Sequence, residues 1–197
     1  MSHEEFLSCF RNGDLNTLKQ LYKNYKQHNN KKVTYGYYHN PLVSASHHGH
    51  LEMCKWIYEN DFWFHPEYRP IHCEMAMRLA CINGHVNICK WLCNLPELKN
   101  INDHLTWYCY VSHFNVCKWL CKKYSITKEE VVGFHYRVVL KFDLKNCDED
   151  AITYLYNFVN LTEEELLPII NHLSKETKEK LIKLITPVGS FTKPVKL

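Results

Sequence analysis

Residues 84–93 read GHVNICKWLC, and close copies of this stretch recur along the chain. One copy occupies residues 49–58 (GHLEMCKWIY), and another occupies residues 113–121 (HFNVCKWLC). Aligning their Cys-Lys-Trp cores gives steps of 35 and 28 residues (89 − 54 = 35 and 117 − 89 = 28). We expect the shorter step to have lost a projecting loop while it keeps both helices of its unit.

Weaker copies extend the repeat in both directions. Gly13 aligns with Gly49 (49 − 13 = 36), and Ile152 aligns with Cys117 (152 − 117 = 35). A period in the low to middle thirties is typical of helical solenoids, whose units bury their apolar faces only against their neighbours. The sequence therefore predicts an all-α fold built from stacked helix pairs.

The copies predict one domain of about five to six helix pairs. The expected units are residues 1–39, 40–70, 71–100, 101–125 and 126–160, followed by a capping unit at 161–186 and a tail at 187–197. The last predicted helix is charged, which suits a cap because the end unit has nothing to bury its outer face against.

Capping signals predict several helix boundaries. Pro41 suits the first turn of a helix, with Asn40 as its N-cap, and Gly49 should end that helix. Thr127 and Thr162 each open a Thr-x-x-Glu capping box. These boxes lie 35 residues apart (162 − 127 = 35), so an independent signal repeats at the same period.

A family resemblance is carried by residues 41–55, PLVSASHHGHLEMCK. This stretch resembles the ankyrin repeat, in which a Thr-Pro-Leu-His-x-Ala turn and helix are followed by Gly-His-Leu-Glu and a second apolar helix. Residues 80–88 match the same pattern, and the resemblance is strong over residues 40–123 and weaker outside them. No copy has the complete Thr-Pro-Leu-His tetrapeptide, and the Gly-Ala-Asp loop of the family is missing.

The resemblance implies an ankyrin-like solenoid that binds another protein and has no catalytic activity. The abundance of Trp and Cys is similar to that of ankyrin arrays encoded by large DNA viruses and protists. In this reading His50 and His85 match the Gly-His of the repeat, which implies a hydrogen-bonding role at the start of each second helix.

Composition excludes few partners. The 24 Lys and Arg and 21 Asp and Glu give a net charge of +3, which predicts neither a nucleic acid nor a membrane as the partner. The first residues lack the basic start and apolar run of a signal peptide, and no segment reaches the ~18 apolar residues of a membrane span. We therefore expect a cytoplasmic protein whose ten cysteines are free thiols.

No catalytic motif is present in the sequence. It has no Gly-rich phosphate loop, no Gly-x-Ser-x-Gly and no His-Glu-x-x-His. We expect neither enzymatic activity nor a cofactor.

The cysteines and histidines are open to two interpretations. A zinc site would draw on two cysteine pairs and one histidine cluster, namely Cys89 with Cys93, Cys117 with Cys121, and His47, His48 and His50. Zinc needs four such ligands converging on one point. Each cysteine falls where the ankyrin pattern has an apolar core residue, however, and this favours buried thiols over a metal site.

Two aromatic loops, near residues 28–39 and 60–70, form the predicted partner-binding surface together with the concave face of the expected ankyrin stack. The predicted binding residues are Tyr35, Tyr37, Tyr38, Phe62, Trp63, Phe64, Tyr68 and Arg69. Trp63 has two interpretations, because a loop tryptophan can pack under the next helix pair or stay exposed as an anchor. Trp56, Trp91 and Trp119 recur at the repeat period, which indicates packing.

A second functional hypothesis concerns the C-terminal region. Residues 161–173 (LTEEELLPIINHL) resemble the first helix of an F-box, a module that docks on a ubiquitin-ligase adaptor. In that reading the protein is a substrate-recognition adaptor, and Leu166 and Ile170 contact the ligase component. An amphipathic capping helix has the same apolar spacing, so both interpretations stay open.

Overall fold

The computed structural model describes residues 3–28, 40–60, 66–99, 101, 105–138, 149–162, 164–165, 175, 179 and 182–183. Every regular element in this part of the chain is helical, which confirms the all-α prediction. The helices are α1 (His3–Asn12), α2 (Leu15–His28), α3 (Pro41–His47), α4 (Leu51–Asn60), α5 (Arg69–Ile82), α6 (Val86–Leu92), α7 (Leu105–Val111), α8 (Phe114–Tyr124), α9 (Lys128–Val138) and α10 (Glu149–Phe158). Short 3-10 turns lie at Pro66–Tyr68 and Pro96–Leu98.

The chain divides into two compact units, Met1–Asp103 and His104–Leu197. In the first unit α1 pairs with α2, α3 with α4 and α5 with α6. Helix α3 also lies beside α1 and α5, and α4 lies beside α6. First helices therefore pack on first helices and second on second, which is the stacking that the repeat period predicts.

The second unit repeats this arrangement with α7 to α10. Helix α7 pairs with α8, α7 lies beside α9, and α8 lies beside α10. Each unit has its own apolar core. The largest fully buried side chains are Phe10, Leu18, Leu42, Met53, Ile57, Met77, Ile88 and Leu92 in the first unit, and Tyr108, Leu120 and Tyr156 in the second.

The first three helix pairs turn at a glycine that has a positive φ. The φ angles are +70° at Gly13, +84° at Gly49 and +76° at Gly84, a conformation that costs a residue with a Cβ atom about 1–2 kcal/mol. The residue after Gly49 and Gly84 closes the turn through its backbone, since His50 N donates to the Ala45 carbonyl at 3.1 Å and His85 N donates to the Ala80 carbonyl at 2.9 Å. Such a bond to the end of the preceding helix satisfies a carbonyl that the helix leaves open.

The histidine after each glycine also joins one repeat to the previous one. His50 Nε2 lies 3.1 Å from the Arg11 carbonyl, and His85 Nε2 lies 3.0 Å from the His47 carbonyl. Because a carbonyl only accepts, each Nε2 carries the proton. The hydrogen-bonding role that the resemblance implied for His50 and His85 is confirmed.

Asn40 caps α3 as predicted and has a second partner. Its Oδ1 accepts from the backbone N–H groups of Leu42 at 2.9 Å and Val43 at 3.4 Å. Its Nδ2 lies 3.1 Å from His72 Nδ1, so the amide nitrogen donates and His72 Nδ1 accepts. The cap of α3 therefore fixes the neutral tautomer of a buried histidine on α5.

Both predicted capping boxes are present in the second unit. Thr127 N donates to Glu130 Oε2 at 2.8 Å, and Glu130 N donates to Thr127 Oγ1 at 3.3 Å. The box of Thr162 and Glu165 has the same two bonds, at 3.0 and 3.3 Å. Lys128 Nζ lies 3.0 Å from Glu165. The Thr162 N–H and this ammonium hold the pKa of Glu165 at about 2.

The repeated tryptophans pack at the boundary between repeats. Trp56 and Trp91 are half-buried, and each makes an edge-to-face contact with a tyrosine of the preceding repeat. The ring centroids lie 5.2 Å apart for Tyr22 and Trp56 and 5.7 Å apart for Tyr58 and Trp91. The predicted packing role is confirmed for Trp56 and Trp91, although these rings bridge neighbouring helix pairs and do not fill the centre of the core, and for Trp119 it stays a prediction.

Candidate protein-binding surface

The C-terminal end of the second aromatic loop is held by Arg69, the first residue of α5. Its guanidinium carbon lies 4.6 Å from the ring centroid of Tyr58 on α4, and its Nη2 donates to the Tyr58 carbonyl at 3.3 Å. Its Nε lies 3.6 Å from Glu97 Oε1. Arg69 thus joins α4, α5 and the turn that follows α6, through one planar cation that can stack and bridge at the same time.

Glu97 is the acidic centre of this network. Its side chain is 9% exposed, and it accepts the Tyr58 hydroxyl at 2.8 Å on Oε2 and 3.0 Å on Oε1. Burial, reinforced by the negative charge of Glu97, raises the pKa of Tyr58 to about 12. Tyr58 therefore stays a neutral donor, and Glu97 has both a hydrogen-bond donor and a counter-ion for its buried charge.

Tyr68 lies at the edge of this network and faces solvent. It precedes α5 directly and is 48% exposed, the largest exposure among the large apolar side chains that the structure describes. Its ring centroid lies 6.4 Å from that of His72. The structure therefore presents an aromatic ring at the surface on a base that Tyr58, Arg69 and Glu97 hold rigidly.

Of the eight predicted binding residues, the structure brings Tyr68 and Arg69 together. Tyr68 is exposed, whereas the charge of Arg69 is engaged by Glu97 within the chain. The other six, Tyr35, Tyr37, Tyr38, Phe62, Trp63 and Phe64, lie outside the described residues. Leu166 and Ile170 of the F-box hypothesis lie outside them as well. The binding role of these positions stays a prediction.

The predicted metal ligands separate into different groups. His47 Nδ1 lies 3.1 Å from Asn83 Nδ2, and His47 contacts His48 edge to face at 4.7 Å between ring centroids. Within the described ranges, however, the one group of three His, Cys, Asp or Glu ligand atoms that lie within 4.8 Å of one another contains no histidine. The imidazoles therefore join no cysteine pair there.

The cysteines occupy repeated positions in the helix pairs. Eight of the nine cysteines that the structure describes are buried, and Cys93 is intermediate. Two positions eight residues apart face each other in successive repeats, with 3.4 Å between Ser46 Oγ and Cys54 Sγ and 3.8 Å between Cys81 Sγ and Cys89 Sγ. Burial raises the pKa of Cys54 to about 12, which makes this thiol unreactive in the folded state.

The same two positions in the second unit hold Cys109 and Cys117, and a third thiol joins them. Cys121 Sγ lies 4.0 Å from each of the other two sulfur atoms, and all three lie within 4.8 Å of one another. The sequence suggested the pair of Cys117 and Cys121 but missed Cys109. The signal that could have revealed it is the spacing of eight residues, since Cys81 and Ser46 precede their partners by the same interval.

Comparison with known proteins gives one family. Residues 42–92 match the family model described as ankyrin repeats (many copies). This segment of the chain consists of ankyrin repeats. The matched residues begin in α3 and end with α6, so they contain the Gly49 turn, the Gly84 turn and the His85 bond between repeats. No curated protein and no solved structure matches the chain.

The match to ankyrin repeats has a general functional meaning. Ankyrin repeats are generally protein–protein interaction modules and are typically non-catalytic. No helix in the described part of this chain is long and apolar enough to cross a membrane.

Proposed function

We propose that this ankyrin-repeat protein acts by binding another protein through the aromatic surface around Tyr68, without catalysing a reaction. The observation that supports the proposal is the exposure of Tyr68, at 48%, on a base held by Arg69 and Glu97. An aromatic ring that is already fixed in place loses little conformational entropy when a partner buries it, and such rings are enriched among the residues that dominate binding energy.

The remaining predicted binding residues extend this surface in the proposal. Phe62, Trp63 and Phe64 precede Tyr68 by only a few residues, so a partner that covers Tyr68 is within reach of them. Tyr35, Tyr37 and Tyr38 belong to the equivalent loop of the preceding repeat. Arg69 contributes by holding the base and not by offering a free charge, because Glu97 and Tyr58 engage its guanidinium.

The nine free thiols of the described residues also favour a compartment. Cysteines at this density that form no disulfide are typical of proteins in a reducing environment. We therefore place the binding activity in the cytoplasm.

The test compares Tyr68→Ser with a matched control, Ile82→Ser. Ile82 is also an exposed apolar residue, at 41%, and it ends the helix that Tyr68 precedes, about 20 Å away along the axis. Proteins that co-purify with the wild type from its native cells are quantified for both variants, after circular dichroism has shown equal helicity.

A partner should be retained by the wild type and by Ile82→Ser and lost from Tyr68→Ser. A ring at the centre of an interface is worth about 2 kcal/mol or more, so the affinity should fall by roughly 30-fold. Equal recovery with wild type and Tyr68→Ser would overturn the proposed surface.

A further inference from the structure

The second unit contains a cluster of three thiols whose geometry is not required for packing in the core. Cys109 lies on α7, and Cys117 and Cys121 lie one turn apart on α8. Cys121 Sγ lies 4.0 Å from the sulfur atoms of Cys109 and Cys117, and the third separation is no more than 4.8 Å. A point equidistant from the three sulfur atoms is therefore at most about 2.5 Å from each, close to the length of a metal–thiolate bond.

We propose that Cys109, Cys117 and Cys121 form a binding site for one Cu(I) ion, held by three sulfur ligands in a plane. Soft thiolate ligands select Cu(I), zinc and iron–sulfur clusters among the biological metals. The ligands come from two packed helices, so the site exists before the ion arrives and little ordering is needed on binding.

The number of ligands decides between copper and zinc. Structural zinc is almost always four-coordinate, and a three-ligand zinc site uses water in the fourth position. All three cysteines are 0% exposed, which excludes water from this site. No fourth His, Cys, Asp or Glu atom of the described residues completes the group. Cu(I), which accepts three sulfur ligands, fits this site better than Zn²⁺.

The three thiols form a chain of weak hydrogen bonds. Cys117 donates its one S–H to the Ala151 carbonyl, so it can only accept from Cys121, and Cys121 in turn accepts from Cys109. Binding of Cu(I) releases the thiol protons to solvent and leaves the copper in the same oxidation state. It also costs the weak Cys117 S–H bond to the Ala151 carbonyl, which is 3.3 Å long.

The preceding repeat has the same three residues but does not form the site. Its cysteines are Cys81, Cys89 and Cys93, with spacings of 8 and 4 residues (89 − 81 = 8 and 93 − 89 = 4). The proposed site has the same two spacings (117 − 109 = 8 and 121 − 117 = 4). Cys93 is only partly buried, and the three sulfur atoms of its repeat do not all lie within 4.8 Å of one another. The pair of Cys81 and Cys89 is therefore an internal control, because it shows what two facing thiols do without a third sulfur ligand.

The experiment measures Cu(I) uptake by the reduced full-length chain under anaerobic conditions, in competition with a chromogenic Cu(I) chelator. Cys109→Ser is the test variant. It should fold, because Ser46 occupies the equivalent position and faces Cys54 at 3.4 Å. Cys81→Ser is the matched control, and Cys121→Ala is a second test variant in case the first is unstable. X-ray absorption on the loaded protein counts the sulfur ligands.

We expect wild type and Cys81→Ser to hold one Cu(I) with three sulfur ligands. Cys109→Ser should bind it more weakly by more than the 10–100-fold that loss of an outer-shell partner typically costs. Equal affinity in Cys109→Ser, a loss as large in Cys81→Ser, or a two-sulfur site would overturn the proposal. Displacement of the bound copper by Zn²⁺ at equal concentration, or formation of a Cys109–Cys121 disulfide in place of uptake, would overturn it as well.

Discussion

Gly49 must be glycine for two separate reasons. Its φ of +84° is strained for any residue with a Cβ atom, and a Cβ placed there would lie 2.7 Å from His85 Cε1. We expect Gly49→Ala to lower the free energy of unfolding by about 1–3 kcal/mol. Urea denaturation followed by circular dichroism measures this loss.

The two reasons can be separated by a double-mutant cycle with His85→Ala. Removing the imidazole relieves the contact but leaves the strained φ, so Gly49→Ala should cost less in the His85→Ala background than in the wild type. The Gly13 turn offers the same test, since a Cβ there would lie 2.6 Å from His50 Nδ1. If the losses in free energy of unfolding from the two substitutions are strictly additive, the imidazole moves away from the added Cβ atom without an energetic cost.

His72 predicts a dependence of stability on pH. Burial lowers its pKa from the ordinary value of 6.5, and its Nδ1 must stay unprotonated to accept from Asn40. As pH falls below about 6.5 the unfolded state takes up the proton first, so stability should fall until the folded-state pKa is reached, and above pH 6.5 His72 should have no effect. Urea midpoints at pH 7.5 and 5.5, compared between wild type and His72→Gln, isolate this contribution from the other histidines.

Asn40→Asp supplies the opposite case. A carboxylate still caps α3, but it favours the imidazolium form of His72, so the pKa of His72 should rise and the acid sensitivity should shrink. NMR titration of the His72 ring measures its pKa directly in the wild type and in Asn40→Asp. A wild-type His72 that titrates at or above 6.5 would contradict the interpretation.

At the scale of helices, the sequence signals that correctly predicted helix boundaries are local ones. Asn40 and Thr127 begin helices where the sequence predicts, and Thr162 makes the predicted capping bonds, because a capping side chain needs only backbone groups two or three residues away. Gly49 and Gly84 follow the first helix of their repeats for an equally local reason, because glycine adopts a positive φ without strain.

The thiol site shows where local reasoning fails. The same Cys spacing occurs in two repeats, yet α6 ends at Leu92 and leaves Cys93 as its C-cap, whereas α8 continues to Tyr124 and keeps Cys121 inside the helix. Cys121 therefore stays one turn from Cys117 and faces the core. The spacing of the cysteines does not reveal where the helix that carries them ends. It therefore could not show that the three thiols come together in one repeat and not in the other.

The capping box of α9 carries a prediction at this scale. Thr127→Ala removes the acceptor for Glu130 N–H and should lower the free energy of unfolding of the second unit by about 0.5–2 kcal/mol. Thr127→Ser keeps the hydroxyl and should stay close to wild type. Thermal unfolding of both variants gives the comparison, and an equal loss for Ser and Ala would show that the methyl group matters and the cap does not.

For the whole molecule, the repeat was predictable from the sequence, and the contacts around Tyr68 were predictable only in part. The period is visible because it involves many residues, and the stacking follows from it. Arg69 is different, since its partner Glu97 lies 28 residues away (97 − 69 = 28) and belongs to a turn that no motif marks. Sequence reasoning could identify the aromatic loop but not which of its residues the next repeat would engage.

The two compact units should lose their structure separately. In a repeat protein each element contacts only its neighbours, so stability is a sum of local contributions, and each unit here has its own buried core. Cys54 reports on the first unit and Cys117 on the second, because both are 0% exposed and react with a thiol reagent only when their unit opens. Partly buried Cys93 should react first in the absence of urea.

Labelling at increasing urea concentrations, with each cysteine followed by peptide mass spectrometry, should then give different midpoints for Cys54 and Cys117. Gly49→Ala strains the first unit alone, so it should move the Cys54 midpoint to lower urea and leave that of Cys117 in place. A shift of both midpoints together would mean that the units unfold as one cooperative body. In that case the strain at one turn would be carried by the whole chain, and the nearest-neighbour description of this solenoid would have to be abandoned.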